Sequence, residues 1–365
     1  GYNISHDEAF TFHRNELTID PDLASGKEGP PFREADLAAL LQRGARTDDG
    51  RYYASASLFI PGGIIGPFHF RGTRHDDPND RFSHQRRREL RGLYVVYSWL
   101  NNWDVKDQQS LDAFQTAEGE SLGYVRHHLL DVNASLGAAA EGPKPVRYGY
   151  EQKVDLGWTL RRFLTLGFAE EPWRRAHQDS GIPSVGNFEA EEFHPDEWRP
   201  SQYIEPWRKM TLADAYWGAK IVASFSNEQI AAAISAAEYD DPRAPAYLER
   251  ILAERRDKIA RYWFGRVAPL DFFSIQGGAL EFHDLEVDLG LTRPRRYEIH
   301  ADGASGPALT LVPEGTATRI ALHRLGPLGA RVRLTMHLEG SGAKPVRVDL
   351  ERRGSDWTIA RVRHG

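Results

Sequence analysis

The chain has no cysteine. That excludes disulfides, thiolate zinc sites and cysteine nucleophiles, and it leaves the redox compartment open. No apolar run is long enough to span a bilayer, so no membrane-spanning segment is expected. No secretory signal pattern precedes the body of the chain. With a net charge of -6, a general affinity for nucleic acid or for an anionic membrane is not implied. The local basic run "RRREL" (Arg86–Leu90) reads as the solvated face of a helix. No repeat at a solenoid period is visible. Lysine is scarce, and Lys27 is the only one ahead of Lys106.

What remains is ordinary globular material: 365 residues, 41% hydrophobic and 27% charged, enough for two domains. "AFTFHRNELTID" (Ala9–Asp20) and "RYYASASLFIPGG" (Arg51–Gly63) have strand character, and "READLAALLQRG" (Arg33–Gly44) reads as a short helix. His84–Leu100 repeats Leu90, Leu93, Tyr94, Tyr97 and Leu100 at helical spacing, so that face should be buried. Two strand-like runs follow, Leu111–Gln115 and Tyr124–Leu130. Trp158 to Phe264 is mainly helical, with capping boxes headed by Thr211 and Ser226. From about Ser274 the pattern changes to short alternating strands, an all-β module of sandwich type. The fold class is therefore α+β. Its expected parts are 1–83, 84–273 (mainly helical) and 274–365 (all-β).

The stretch "DVKDQQ" carries chemistry. Asp104, Lys106 and Gln109 follow the buried helix, and Asp131 opens "DVNASLG" after the hairpin-like runs. Phosphoryl transfer needs few parts: a carboxylate for the acceptor hydroxyl, a cation for the developing charge, and an amide oxygen with a second carboxylate for the metal. Protein kinases place the first three on one loop as Asp, Lys two residues on and Asn five residues on, with the second carboxylate at a D-F-G turn after a hairpin.

At these residues, and in the pattern "HxxRRELRGL…WLN…D…R-H…L-x-D-x-x-x-S-L-G", the chain resembles the atypical protein-kinase-like group that contains the spore-coat CotH-type and HipA-type kinases. It also resembles a bacterial family of largely uncharacterised proteins. The resemblance covers Tyr2 to Phe264 and implies a kinase-like, mainly helical C-lobe (84–273) with a partial N-lobe (1–83), the β module being an accessory. It implies that Asp104 orients the acceptor, Lys106 contacts the γ-phosphate, and Gln109 and Asp131 hold Mg²⁺ on ATP. Gln109 stands where Asn is usual, with an arm longer by one C–C bond, which also suits Mn²⁺. Asn133 stands where the turn has Gly, and Asn tolerates left-handed backbone. No glycine-rich loop precedes Lys27, and Gly1 reads like entry partway through a lobe.

The function expected is thus a kinase-like phosphotransferase that uses Mg-ATP on an unidentified acceptor. The alternative is a degenerate pseudokinase that acts as a scaffold, its β module recognising a polymer or partner. Other clusters have plainer readings. His127 and Asp131 share a face by alternation, but one hydrogen-bonded and one surface histidine is the usual outcome. Glu189, Glu191 and Glu192 read as a solvated acidic loop. Asp76, Asp77 and Asp80 read as a turn that caps the helix starting near Ser83. Trp173, Trp198, Trp207 and Trp217 read as packed side chains.

Overall fold

The computed structural model describes residues 33–44, 46, 48–52, 60–116, 122–139, 142–175, 180–303, 308–311 and 317–365. The chain divides into two compact units, Gly1–Pro61 and Gly62–Gly365. The strand expected at Ala9–Asp20, Lys27 and most of the strand expected at Arg51–Gly63 lie outside the described residues. In the first unit, helix α1 (Glu34–Arg43) forms as its pattern indicates. Asp36 accepts from the Arg33 amide at 2.8 Å, and acidic residues fill the first turn, where the helix dipole favours them.

In the second unit, strands β1 (Gly63–Gly66), β2 (Ser110–Thr116) and β3 (Gly123–Leu129) form an antiparallel sheet in that order. The helices are α2 (Arg88–Leu100), α3 (Leu156–Leu164), α4 (Glu205–Arg208), α5 (Leu212–Ala223), α6 (Asn227–Ser235) and α7 (Ala244–Phe264). A two-residue ladder, β4 (Ala138–Ala139) with β5 (Gly142–Pro143), follows the first sheet. Among the described residues no helix is long and apolar enough to cross a membrane.

The helix expected from His84 is broken. A 3-10 turn, His84–Arg86, precedes α2, and Arg87 between them is extended (ψ 132°). Side chains hold the break. Asp80 accepts from Arg87 at 2.6 Å and pairs with the buried His84 at 2.5 Å, while His84 Nδ1 bonds to the carbonyl of His69. Asp80 thus holds the entry to α2 through side-chain pairs, whereas the helix cap expected of the "DDPND" turn does not form: neither His84–Arg86 nor α2 has a side-chain cap bond.

α2 and α5 cross almost backbone to backbone. A Cβ on Gly92 would lie 2.6 Å from the Trp217 ring, and one on Gly218 would lie 2.6 Å from the Gly92 carbonyl. Both capping boxes form: Thr211 with Asp214, Ser226 with Gln229. Leu248, Ile251, Leu252 and Ile259 of α7 are buried with Val95, Ala215, Ala219 and Val222; each such aliphatic side chain contributes about 1.5–3 kcal/mol on burial. Trp198 and Trp207 belong to this cluster, as packed residues. α3 is different. None of its residues is buried, and Leu156, Phe163 and Leu164 are each more than 70% exposed.

The C-terminal strands are β6 (Leu270–Gln276), β7 (Ala279–Asp284), β8 (Tyr297–Ala301), β9 (Leu309–Leu311), β10 (Ala317–Ala321), β11 (Arg331–Leu338), β12 (Val346–Arg353) and β13 (Asp356–His364), with a helical turn α8 (Leu285–Asp288) after β7. They make two antiparallel sheets, β10-β7-β6 and β13-β12-β11-β8-β9. Alternate residues of both, including Leu280, Phe282 and Ile320 on one and Leu334, Met336, Val346 and Val348 on the other, share one hydrophobic cluster. Period-two alternation is what puts them on one face. The boundary drawn from sequence between 273 and 274 falls inside β6, and "SIQGG" is the β6–β7 hairpin.

Candidate functional site

α2 ends at Asn101, a non-glycine residue in the left-handed region (φ 51°). Such a C-cap turns the chain out of the helix. The Asn101 amide oxygen accepts from the Trp198 indole at 2.7 Å, which anchors the turn to the core. The next stretch is extended and pinned from several sides. Trp103 stacks on Tyr148 with ring centroids 3.5 Å apart. The Ser201 amide donates to the Trp103 carbonyl at 2.8 Å, and the Gln202 side chain donates to the Val105 carbonyl at 2.7 Å. Val105 itself is buried. Asp104 and Lys106, on either side of it, face the other way by alternation and keep side-chain exposures of 26% and 42%.

The chain then makes a 3-10 turn, Asp107–Gln109, and enters β2. Ser110 locks that turn to the segment before it, since its hydroxyl accepts from the Phe68 amide at 3.0 Å. Asp107 accepts from the Phe70 amide at 3.3 Å and meets His69 at 3.1 Å. β2 and β3 pair in register from Ser110–Leu129 to Thr116–Gly123, and the Leu130 amide donates to the Gln109 carbonyl at 2.8 Å. That ladder returns the chain to its starting point and delivers Asp131.

Five side chains therefore meet. Lys106 Nζ lies 3.3 Å from Asp104 Oδ2. Gln109 Nε2 donates to Asp104 Oδ2 at 3.1 Å and to Asp131 Oδ2 at 3.4 Å. Ser201 Oγ stands 3.5 Å from the other oxygen of Asp104. Asp131 has a φ of 49°. A non-glycine residue held there stores strain of the order of 1–3 kcal/mol, and such residues gather at functional sites. Beside Lys106, a cavity of about 330 Å³ is bordered by Phe70, Asp107, Gln202 and Tyr203.

Gln109 presents its amide nitrogen, not its oxygen, to Asp104 and Asp131. Asp131 offers carboxylate oxygens, and a half-turn of the Gln109 amide exchanges its nitrogen for its oxygen. Neighbouring ligands on octahedral Mg²⁺ lie about 3 Å apart, close to the 3.4 Å between these two groups. Among the described residues no group of three or more His, Cys, Asp and Glu is placed to hold a metal by protein atoms alone.

Several sequence readings change here. Asn133 is not the left-handed residue of its turn; positive φ falls on Asp131, Leu136 and Gly137 instead. His127 does not face Asp131, because β3 stops at Leu129. It pairs across the ladder with the buried Asp112 at 2.6 Å, and Arg74 meets the same carboxylate at 2.9 Å. Glu189 is not solvated. It is buried and accepts from the Tyr150 hydroxyl at 2.6 Å and the Glu192 amide at 2.8 Å. Ser201, Gln202 and Asp112 went unremarked in the sequence. Only the alternation that sets Asp112 opposite His127 offered a signal. No protein family, curated protein or solved structure matches the chain.

Proposed function

We propose that this site is a kinase-like phosphotransferase centre that moves the γ-phosphoryl group of Mg-ATP to an acceptor hydroxyl. The observation that supports it is the meeting of Asp104 and Asp131 on one amide, that of Gln109. Their chain order supports it too: buried helix, loop, antiparallel hairpin, second carboxylate.

In this reading Asp104 accepts the hydrogen bond of the acceptor hydroxyl and takes its proton as the oxygen attacks phosphorus. The bond from the γ-phosphorus to the bridging oxygen breaks and ADP leaves. Lys106 carries charge that develops on the transferring group. Asp131 and Gln109 would hold Mg²⁺, which when bound neutralises the phosphates. Ser201 and Gln202 fix the loop, so Asp104 needs no reorganisation when the acceptor arrives.

A second reading rests on the same bridge, taken from its donor side. The Gln109 amide already bridges both carboxylates with N–H donors, which is how a degenerate site replaces a cation. The chain would then be a pseudokinase scaffold with a β module for recognition.

Thermal melting with ATP, with and without Mg²⁺, tests the site. Saturation at a hundred times Kd raises stability by about 2.7 kcal/mol. The phosphotransferase reading expects a Mg²⁺-dependent rise in Tm that disappears in Asp131→Asn, together with ADP release. Binding without turnover selects the scaffold reading. A Tm indifferent to Mg-ATP removes the nucleotide from both.

A further inference from the structure

A cavity of about 450 Å³ opens where α2, α5 and β13 come together. It shares no residue with the site at Asp104 and Asp131. Four cations from three elements far apart in sequence line it: Arg88 at the start of α2, Lys220 on α5, and Arg361 and Arg363 on β13. One side-chain carboxylate, Asp271, borders it as well, and so does Gly365.

That carboxylate is already engaged. Asp271 meets Lys220 Nζ at 2.6 Å and accepts from the Tyr216 hydroxyl at 3.1 Å and the Phe272 amide at 2.8 Å. Its charge offsets Lys220 and leaves three guanidinium groups. Arg88 comes only to 4.0 Å from Asp214, whose two oxygens are held by Arg91 at 2.7 and 2.9 Å. Arg363 reaches Asp349 at 2.5 Å but shares it with Arg333 at 2.7 Å. Arg361 is exposed and has no carboxylate partner among the described residues. His364 adds polarity without charge. Its Nε2 donates to the Leu270 carbonyl at 3.0 Å, its ring stacks on Tyr216 at 4.1 Å, and burial holds its pKa below the usual imidazole value against the pull of Asp271.

Cations gathered at one concavity repel one another and raise the local concentration of anions. The volume lies within the roughly 300–1,000 Å³ of small-molecule sites, and Trp217 with Tyr216 supplies an aromatic wall. Guanidinium forks match the oxygens of phosphate in a way that chloride cannot use. We infer that this cavity binds a small anionic molecule through a phosphate group. The inference is independent of the phosphotransferase reading.

The test is thermal melting of the whole chain with inorganic phosphate, pyrophosphate or glycerol phosphate, at ionic strength held constant with sodium chloride. A saturable rise in Tm with at least one of the three, absent with chloride, is expected. Arg361→Ser, at an exposed and unpaired position, should weaken that binding at least tenfold and leave the ligand-free Tm unchanged. Asp131→Asn should bind like the parent, which separates this cavity from the nucleotide site. Preference for glycerol phosphate over inorganic phosphate assigns the site to an ester, and the reverse assigns it to the free ion. Phosphate compounds that act no differently from chloride overturn the inference. So does binding that survives unchanged in both Arg361→Ser and Arg361→Glu.

Discussion

The Gln109 amide nitrogen and the Asp131 carboxylate lie 3.4 Å apart, although 22 residues of chain separate them. The whole β2–β3 hairpin lies between them, and its ladder closes at Gln109 and Leu130. The site is thus the mouth of the hairpin, and whatever loosens the ladder moves Asp131 away from the loop.

Gln109 is the first position to change. Gln109→Leu removes the donor shared by Asp104 and Asp131 and leaves two carboxylates facing each other without it. Because Asp131 is exposed and Asp104 partly so, water can replace the lost donor, and a loss of about 0.5–1.5 kcal/mol is expected, read from urea unfolding. Gln109→Asn keeps an amide on a shorter arm; on the phosphotransferase proposal it should strengthen the Mg²⁺ dependence of nucleotide binding. If Gln109→Leu unfolds like the parent, the amide is not bridging the two acids in solution.

The α2–α5 crossing gives a packing test. Gly92→Ala places a methyl group 2.6 Å from the Trp217 ring and 3.0 Å from the Asp214 carbonyl. The ring can yield only by disturbing the packing around it, and overpacking of this kind costs about 1–3 kcal/mol. Calorimetry should show a lower Tm. Alanine at Gly340, where nothing lies within 4 Å but φ is 71°, should act through backbone strain instead.

α3 makes the opposite case. Phe163 is 76% exposed and no residue of its helix is buried. Phe163→Ser should therefore change unfolding free energy by no more than about 0.5 kcal/mol, while solubility rises. A loss of several kcal/mol would mean that the face is covered in solution.

The junction of α5 with the C-terminal strands should titrate. Burial depresses the pKa of His364, more than Asp271 raises it. A depressed histidine stabilises the fold fully above its unfolded value, near 6.5, and loses that contribution as pH falls through the folded value. Asp271 behaves similarly at lower pH. Burial alone would raise its pKa, but the bonds from Lys220 and Phe272 outweigh that and hold it below the ordinary carboxylate range. Its contribution is present above about pH 4 and is lost as the carboxylate protonates. Stability of His364→Gln, measured from pH 7 down to 5, should fall less steeply than that of the parent. Equal slopes would place the titration elsewhere.

Much of the architecture was legible because it is periodic. Helical spacing located α2 and α7, the capping boxes located the starts of α5 and α6, and period-two alternation located the C-terminal strands. Those signals are local, since backbone geometry alone decides which residues share a face. The order Asp104, Lys106, Gln109, Asp131 was also readable, because a loop followed by a hairpin can return a chain to its origin.

What only the tertiary structure decided depends on contacts that no local pattern encodes. The break at Arg87 goes with the pairing of Asp80 to His84 and Arg87, in a stretch ahead of Leu90 where the helical repeat has no apolar residue to set the boundary. Glu189 is buried because the Tyr150 hydroxyl and the Glu192 amide satisfy it, though its sequence reads as acidic loop. Asp131 carries the left-handed backbone in place of Asn133: both residue types tolerate that conformation, so the sequence alone does not choose between them. Arg88, Lys220 and Arg361 face one cavity because α2, α5 and β13 meet in space. Sequence determines which residues can share a face; the assembled core determines which faces meet.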